Sequence, residues 1–489
     1  MGLLGNKPWI KLGALAAIAG AVAIAWQVDA QTRATNPAHG GSGGAPAGST
    51  QRAAAKAAPA SAAEPAAPAV AYQGPVQGLV TDAVTHVPIA DAIVTTERGV
   101  VRSDAQGRFT IEAGGPRVMA RAAGYRRSDV ALPSADKVQA GPLTVPLAPL
   151  HVKGLYLSTY GIGSSKLRGA ALEVMERNHL NTLVIDFKGD RGMLPFKSDI
   201  PAKFGLGDQK VITVRDMPAL IADLKQRNLY LIARIVSFKD DRYVEAHPEA
   251  GIRRQSGELF ADREHLRWVD ANRTEMWDYN GALAEQAAQM GFDEVQFDYV
   301  RFPDANTSLV LAKESTDANR VAAITGFLKA MHKRLEPYNV FMSADIFGYV
   351  CWNTNDTGIG QQLEEVHQVV DYMAPMLYPS GFTWGIPGTR NPVADSYTIV
   401  RRTIDKCRER INVSPLRFRP WLQSFKDYAF DRRVFGEAEI RDQIRASDDS
   451  GASGWMLWNP RNAYSDAGLT PGKASPAAAA SAPASVASK

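Results

Sequence analysis

A chain of 489 residues with 55 lysines and arginines against 51 aspartates and glutamates carries a formal charge of only +4. With no basic block and no RNA-binding signature, that balance argues against a nucleic-acid partner, and the length argues for two or three domains rather than one. The two cysteines, Cys351 and Cys407, lack metal-ligand spacing and cannot make a zinc site by themselves; they form one disulfide in an oxidising compartment or else are two buried thiols.

Lys7 and Lys11 precede an alanine-rich apolar run over residues 12–26, a charged segment followed by an apolar one of signal-peptide length. The run is short for a membrane span, and Val28-Asp29-Ala30 offers a small-residue cleavage site before Gln31. Residues 1–30 are therefore expected to be a signal peptide or an uncleaved N-terminal anchor. Either one exports the remainder to the periplasm or the cell exterior, and the anchor would tether it to the inner membrane. Residues 31–73 are Ala, Pro, Gly and Ser with scattered charges, a composition that cannot bury a core, and residues 466–489 are similar. Both are expected to be disordered.

Residues 74–149 show short apolar runs at 76–80, 92–96, 108–111 and 117–122, with the tight-turn sequence Ser103-Asp104-Ala105-Gln106-Gly107 between two of them. Strands at this spacing predict a small all-β sandwich. The order Gly78-x-Val80-Thr81-Asp82, Pro88-Ile89-Ala90-Asp91-Ala92, Asp104-x-x-Gly107-x-Phe109 and Ala123-Gly124-Tyr125 resembles the carboxypeptidase-regulatory-like domains. That resemblance implies a non-catalytic module.

From 150 to 465 strands and helices alternate. Strands are predicted at 152–158, 182–188, 230–238, 294–302, 340–348, 372–379, 419–425 and 453–459. Amphipathic helices are predicted at 166–178, 214–227, 274–290, 319–335, 395–410 and 437–449. Eight β-α repeats predict a (β/α)₈ TIM barrel, and the lack of a Gly-x-Gly-x-x-Gly after the first strand argues against a dinucleotide fold. The segment 239–273 between strands three and four is then an insertion at the C-terminal mouth, where such barrels build their sites.

Strand parity sharpens this. Leu183, Ile185 and Phe187 are expected to face the helices, leaving Asp186 and Lys188 inward, and Arg234, Asp298 and Asp345 are inward by the same count. A lone inward aspartate is as readily a salt-bridge partner as a catalyst, and Asp186 could simply neutralise Lys188 or Arg234. Two carboxylates ending adjacent strands are harder to dismiss, because repulsion separates their pKa values into one acid and one base. Asp293, Glu294 and Asp304 are nearby competitors, the first two low in the strand where stability residues lie. Tyr378, Gln423, Trp458 and Asn459 end strands six to eight, and Trp268, Trp352 and Trp384 lie in loops. Such residues suit sugar stacking and amide contacts, and equally suit ordinary packing. No cofactor or metal cluster is evident.

Trp268-Val269-Asp270-Ala271-Asn272, Trp277-x-Tyr279-Asn280 and the run from Gly291-Phe292-Asp293 through Asp298-Tyr299-Val300-Arg301-Phe302-Pro303 resemble a bacterial glycosyl hydrolase domain family that is itself a domain of unknown function. Gly154-x-Tyr156, Asp186-x-Lys188 and Met376-Leu377-Tyr378-Pro379 extend the similarity. The resemblance implies a TIM barrel distantly related to α-amylase-like and other glycosidase barrels, in which a strand-four aspartate, here Asp298, commonly serves as nucleophile. The usual strand-five acid is a glutamate, whereas this chain has Asp345, and no glutamate ends strand seven. The expectation is an exported glycoside hydrolase of an envelope or extracellular polysaccharide. In it Asp298 is nucleophile or base and Asp345 general acid. Asp186, Lys188, Arg234 and Arg301 orient the sugar, and Tyr378, Gln423 and Trp458 contact it. The rival is a non-catalytic polysaccharide-binding scaffold barrel.

Overall fold

The computed structural model describes residues 74–132, 141–305 and 308–469. The expected export segment and linker, and the tail beyond 469, lie outside the described residues. Among those described, no helix is long and apolar enough to cross a membrane.

The first unit has seven strands: β1 (Pro75–Asp82), β2 (Ile93–Thr96), β3 (Gly99–Arg102), β4 (Arg108–Glu112), β5 (Arg117–Arg121), β6 (Ser128–Ala131) and β7 (Leu143–Leu147). They form a three-stranded sheet, β4-β1-β7, and a four-stranded sheet, β3-β2-β5-β6. Val76, Val80, Val94, Phe109, Ile111, Val118 and Val145 from both sheets are buried together as one core, as alternation along each strand requires. The turn before β4 closes on Asp104, whose carboxylate accepts from the backbone N–H of Gln106 at 2.9 Å and of Arg108 at 2.8 Å. Three strands were not anticipated. β3 and β6 bury almost nothing, and Pro146 interrupts β7, which lies at a sheet edge where proline is tolerated.

The second unit is a closed parallel barrel of β8 (Val152–Leu157), β9 (Thr182–Lys188), β10 (Tyr230–Val236), β12 (Glu294–Asp298), β14 (Phe341–Phe347), β15 (Tyr372–Met376), β16 (Trp421–Gln423) and β17 (Gly454–Trp458). All eight expected strands are present, so the chain is a TIM barrel carrying a small β domain. β11 (Arg253–Arg254) and β13 (Leu309–Val310) pair as a short antiparallel ribbon outside it. The helices Thr274–Gln289, Asp317–Leu335, Ser396–Ile411 and Glu437–Asp449 follow the predicted periodicity, several with side-chain caps such as Thr316 and Asp395. Leu183, Ile185, Phe187, Leu231, Ala233 and Ile235 pack outward under the helices. Val184, Tyr230, Ile232, Phe341, Tyr372 and Met456 fill the interior.

At the end where the strands begin, Glu294 accepts hydrogen bonds from Tyr230 Oη at 2.8 Å, from Ser343 Oγ at 2.6 Å, and from Arg419. Arg419 also stacks 3.4 Å from the Tyr372 ring. Glu294 and Asp293, which pairs with Lys225 and Arg127, are thus tied up in ion pairs far from the mouth. The β domain docks on this same end. Arg121 meets Asp371 at 3.5 Å, Gly124 N donates to Tyr372 Oη at 2.9 Å, and Arg126 donates to the Asn228 carbonyl at 3.1 Å. At the other end, Cys351 and Cys407 form a disulfide between the loop after β14 and the helix Ser396–Ile411. This settles the alternatives left open by their spacing.

Candidate active site

Strand β12 ends at Asp298, and the next residue turns the chain. Tyr299 has φ +48°, the left-handed region that a non-glycine side chain enters only at a cost on the order of 1–3 kcal/mol. The alternation expected through Phe302 therefore stops at Asp298. Tyr299 joins the cleft wall, and its N–H donates to Asp298 Oδ1 at 2.5 Å.

The other Asp298 oxygen accepts from Arg234 Nε at 2.9 Å and from Nη2 as well. Arg234 Nη1 donates to Asp186 Oδ1 at 2.5 Å, and Asp186 Oδ2 accepts from Tyr156 Oη at 2.8 Å. One buried guanidinium on β10 thus bridges the acids of β9 and β12. It also lies 4.8 Å from the Trp458 ring, which stacks on Tyr156 at 3.9 Å. Burial would discharge it, but Asp298 and Asp186 outweigh burial and hold its pKa well above the usual arginine range. Burial pushes the Asp186 carboxyl up, and Arg234 pulls it part of the way back.

Asp345 on β14 is 1% exposed. Its Oδ1 accepts from Trp421 Nε1 at 2.8 Å. Burial first, then the Asp298 charge, push it well above the carboxylate range. A second carboxylate nearby disfavours the charged form, so the buried Asp345 holds its proton to a higher pH than a free carboxyl.

These groups form the floor of a cleft of about 370 Å³. One wall is the inserted segment after β10, with Lys239, Arg254, Phe260, Asp262, Arg263, Glu264 and Trp268. The other comes from the last strands, with Met376, Tyr378, Trp421, Phe425, Tyr428 and Trp458. Lys239 donates to Glu264 at 2.7 Å and meets Asp262 at 3.1 Å, which neutralises it. Asp304, at the rim beyond Arg301, is pushed up to about 6 by burial, against Arg301 and Arg263. A hollow of about 460 Å³ beside the helix Asp317–Leu335 has no aromatic platform. Among the described residues no three His, Cys, Asp or Glu side chains converge as a metal site needs.

The structure therefore brings Asp298, Asp345, Arg234, Arg301, Tyr378 and Trp458 to one cleft, with Asp186 directly beneath. Two expected contacts lie elsewhere. The pairing of β9 with β10 skips a residue, so Lys188 aligns with outward-facing Ile235 and pairs with Asp240 at 2.8 Å beneath Tyr279, beneath the helices. Gln423 is fully buried, its amide accepting from Ser380 N at 3.0 Å and donating to Ser380 Oγ at 2.7 Å. Trp268 lines the cleft, whereas Trp352 donates to Thr403 and Trp384 is 59% exposed on a loop outside it. Phe425, Tyr428 and Trp421 were not anticipated. Phe425 was expected to end a strand that in fact stops at Gln423, Tyr428 sits in the loop beyond, and Trp421 counts as an ordinary core residue until its indole N–H is seen to face Asp345.

Residues 154–464 match the family described as "Putative glycosyl hydrolase domain". No curated protein shows significant similarity to the chain. Among solved structures, it is similar to a hypothetical protein from Ruminiclostridium thermocellum, at 30% identity and a TM-score of 0.34, over 39% of this chain and 96% of that one. It is also similar to the PgaB glycoside hydrolase domain from Bordetella bronchiseptica, at 12% identity and a TM-score of 0.47, over 64% and 95%. A third is a class V chitinase from Pseudomonas fluorescens, at 12% identity and a TM-score of 0.40, over 63% and 95%.

Proposed function

The chain belongs to this glycosyl hydrolase domain family, and we propose that its barrel is an exported enzyme hydrolysing glycosidic bonds of an envelope or extracellular polysaccharide. The observation that carries the reading is the pair of carboxyl groups, Asp298 and Asp345, that line one aromatic-walled cleft. Asp298, gripped twice by Arg234, is the nucleophile or the base that activates water. Asp345, whose pKa is raised by burial and by the Asp298 charge, keeps its proton beside it. The leaving-group oxygen takes its proton from Asp304, whose carboxyl is pushed to about 6, near where a general acid works best. Tyr378 and Trp458 supply faces for a pyranose ring. The buried disulfide accords with an oxidising destination outside the cytosol.

The test is reducing-end release by the full-length protein on a panel of bacterial and plant polysaccharides. Wild type is expected to release sugar, and Asp298→Asn to lower the rate on the order of 10²–10⁴-fold. Equal release by both would sink the reading. Retention of a glycan by both, with no reducing ends over time, would make the barrel a binding scaffold instead.

A further inference from the structure

The two walls of the cleft differ in chemistry. Arg301 stands on the inserted side with its guanidinium 4.9 Å from the Trp268 ring and 5.2 Å from the Tyr299 ring. Such stacking holds the planar group in place while leaving its edge directed at a ligand. Of its five donor hydrogens, one is engaged by the Phe302 carbonyl at 3.1 Å, and among the described residues no carboxylate pairs with it. The remaining charges nearby are largely settled. Asp186 and Asp298 compensate Arg234, and Asp262 and Glu264 compensate Lys239. Arg301 lines that wall with the carboxyl of Asp304 nearby.

We propose that the cleft is built for an acidic polysaccharide, with Arg301 holding the anionic substituent of one sugar while the aromatic wall stacks a ring. A stacked guanidinium with a forked donor edge matches a carboxylate or a sulfate bidentately, and a neutral hydroxyl meets only one of its arms. The inference rests on the cleft being a glycan site, as proposed above, and it names the chemical class of that glycan.

The experiment is calorimetric titration of the full-length protein with oligogalacturonate and alginate oligomers, with their carboxyl-reduced neutral counterparts, and with a sulfated oligosaccharide. At least one acidic ligand is expected to bind ten-fold or more tightly than its neutral counterpart, with affinity falling as salt rises. Arg301→Gln is expected to abolish that preference. Arg301→Lys, which keeps the charge and loses the planar fork, is expected to retain only part of it. Preference for the sulfated ligand alone would support the proposal and identify sulfate as the group held. Equal affinity for acidic and neutral ligands overturns the proposal, as does a preference that survives Arg301→Gln in a folded protein. Asp298→Asn separates this test from the catalytic one. A preference that persists with no hydrolysis by any form sinks the enzyme reading alone, and hydrolysis of neutral glycans without preference sinks the acidic-substrate proposal alone.

Discussion

Replacing Arg234 with methionine removes the one cation between two buried acids. Arg234 is 3% exposed, Asp186 4% and Asp298 6%, so burial leaves the two carboxylates little water for compensation. Breaking a buried pair by deleting one partner costs about 3–5 kcal/mol, because a charge is left without its counter-ion. For a domain of about 150–250 residues that corresponds to a fall in melting temperature of roughly 6–20 °C, and for the larger barrel to less. The loss carries a pH signature. In the wild type, burial raises the Asp186 pKa and Arg234 lowers it, and in the variant burial acts unopposed. A carboxyl whose folded pKa lies above its unfolded value, about 3.9, favours folding below that value and loses the contribution as pH rises through the folded pKa. The gap between Arg234→Met and wild type should therefore be small near pH 4 and full at pH 7 to 8. Urea denaturation across that range measures it, and the double variant Arg234→Met with Asp298→Asn should recover at least part of the loss. A loss below about 1 kcal/mol, or a gap of equal size at both ends of the pH range, would refute the claim that Arg234 is the counter-ion of these acids.

The Asp304 carboxyl, at about 6, must be protonated to serve as the acid, so kcat should fall about ten-fold per pH unit above 6. Asp304→Asn should lower kcat and flatten that limb, and a limb that persists in the variant assigns it to another group. Cys351 and Cys407 close a loop with a sequence separation of 56, for which chain entropy gives ~4 kcal/mol. The double alanine variant should unfold at correspondingly lower urea, whereas reductant should not shift the native enzyme's activity, since both sulfurs are buried. An unchanged urea midpoint would contradict the cross-link's role.

The parts of this chain that could be read in advance were those governed by a period. Eight strands announce themselves by apolar runs between helical stretches, and two-residue alternation places Asp186, Arg234 and Asp345 on the barrel interior. Where a local backbone event resets the count, the reading fails. The left-handed Tyr299 ends β12 one residue after Asp298, and the skipped residue between β9 and β10 swings Lys188 to the helix side. Nothing in the side-chain pattern encodes either event. Gln423 failed for a different reason. Its position at a strand end was right, but the neighbouring Ser380 consumes its amide. The inserted segment was correctly located at the mouth. Which of its residues line the cleft could not be told, because a loop has no face until it is folded.

The β domain grips the barrel through Arg121, Gly124, Arg126 and Arg127, against Asp371, Tyr372, Asn228 and Asp293, all of them at or just before the start of a barrel strand. The cleft opens where the strands finish. Among the described residues the appended module therefore leaves no footprint on the path of an incoming chain, and a long polymer can approach the mouth without passing those residues. Anything that takes hold of the β domain holds the cleft pointing away from itself.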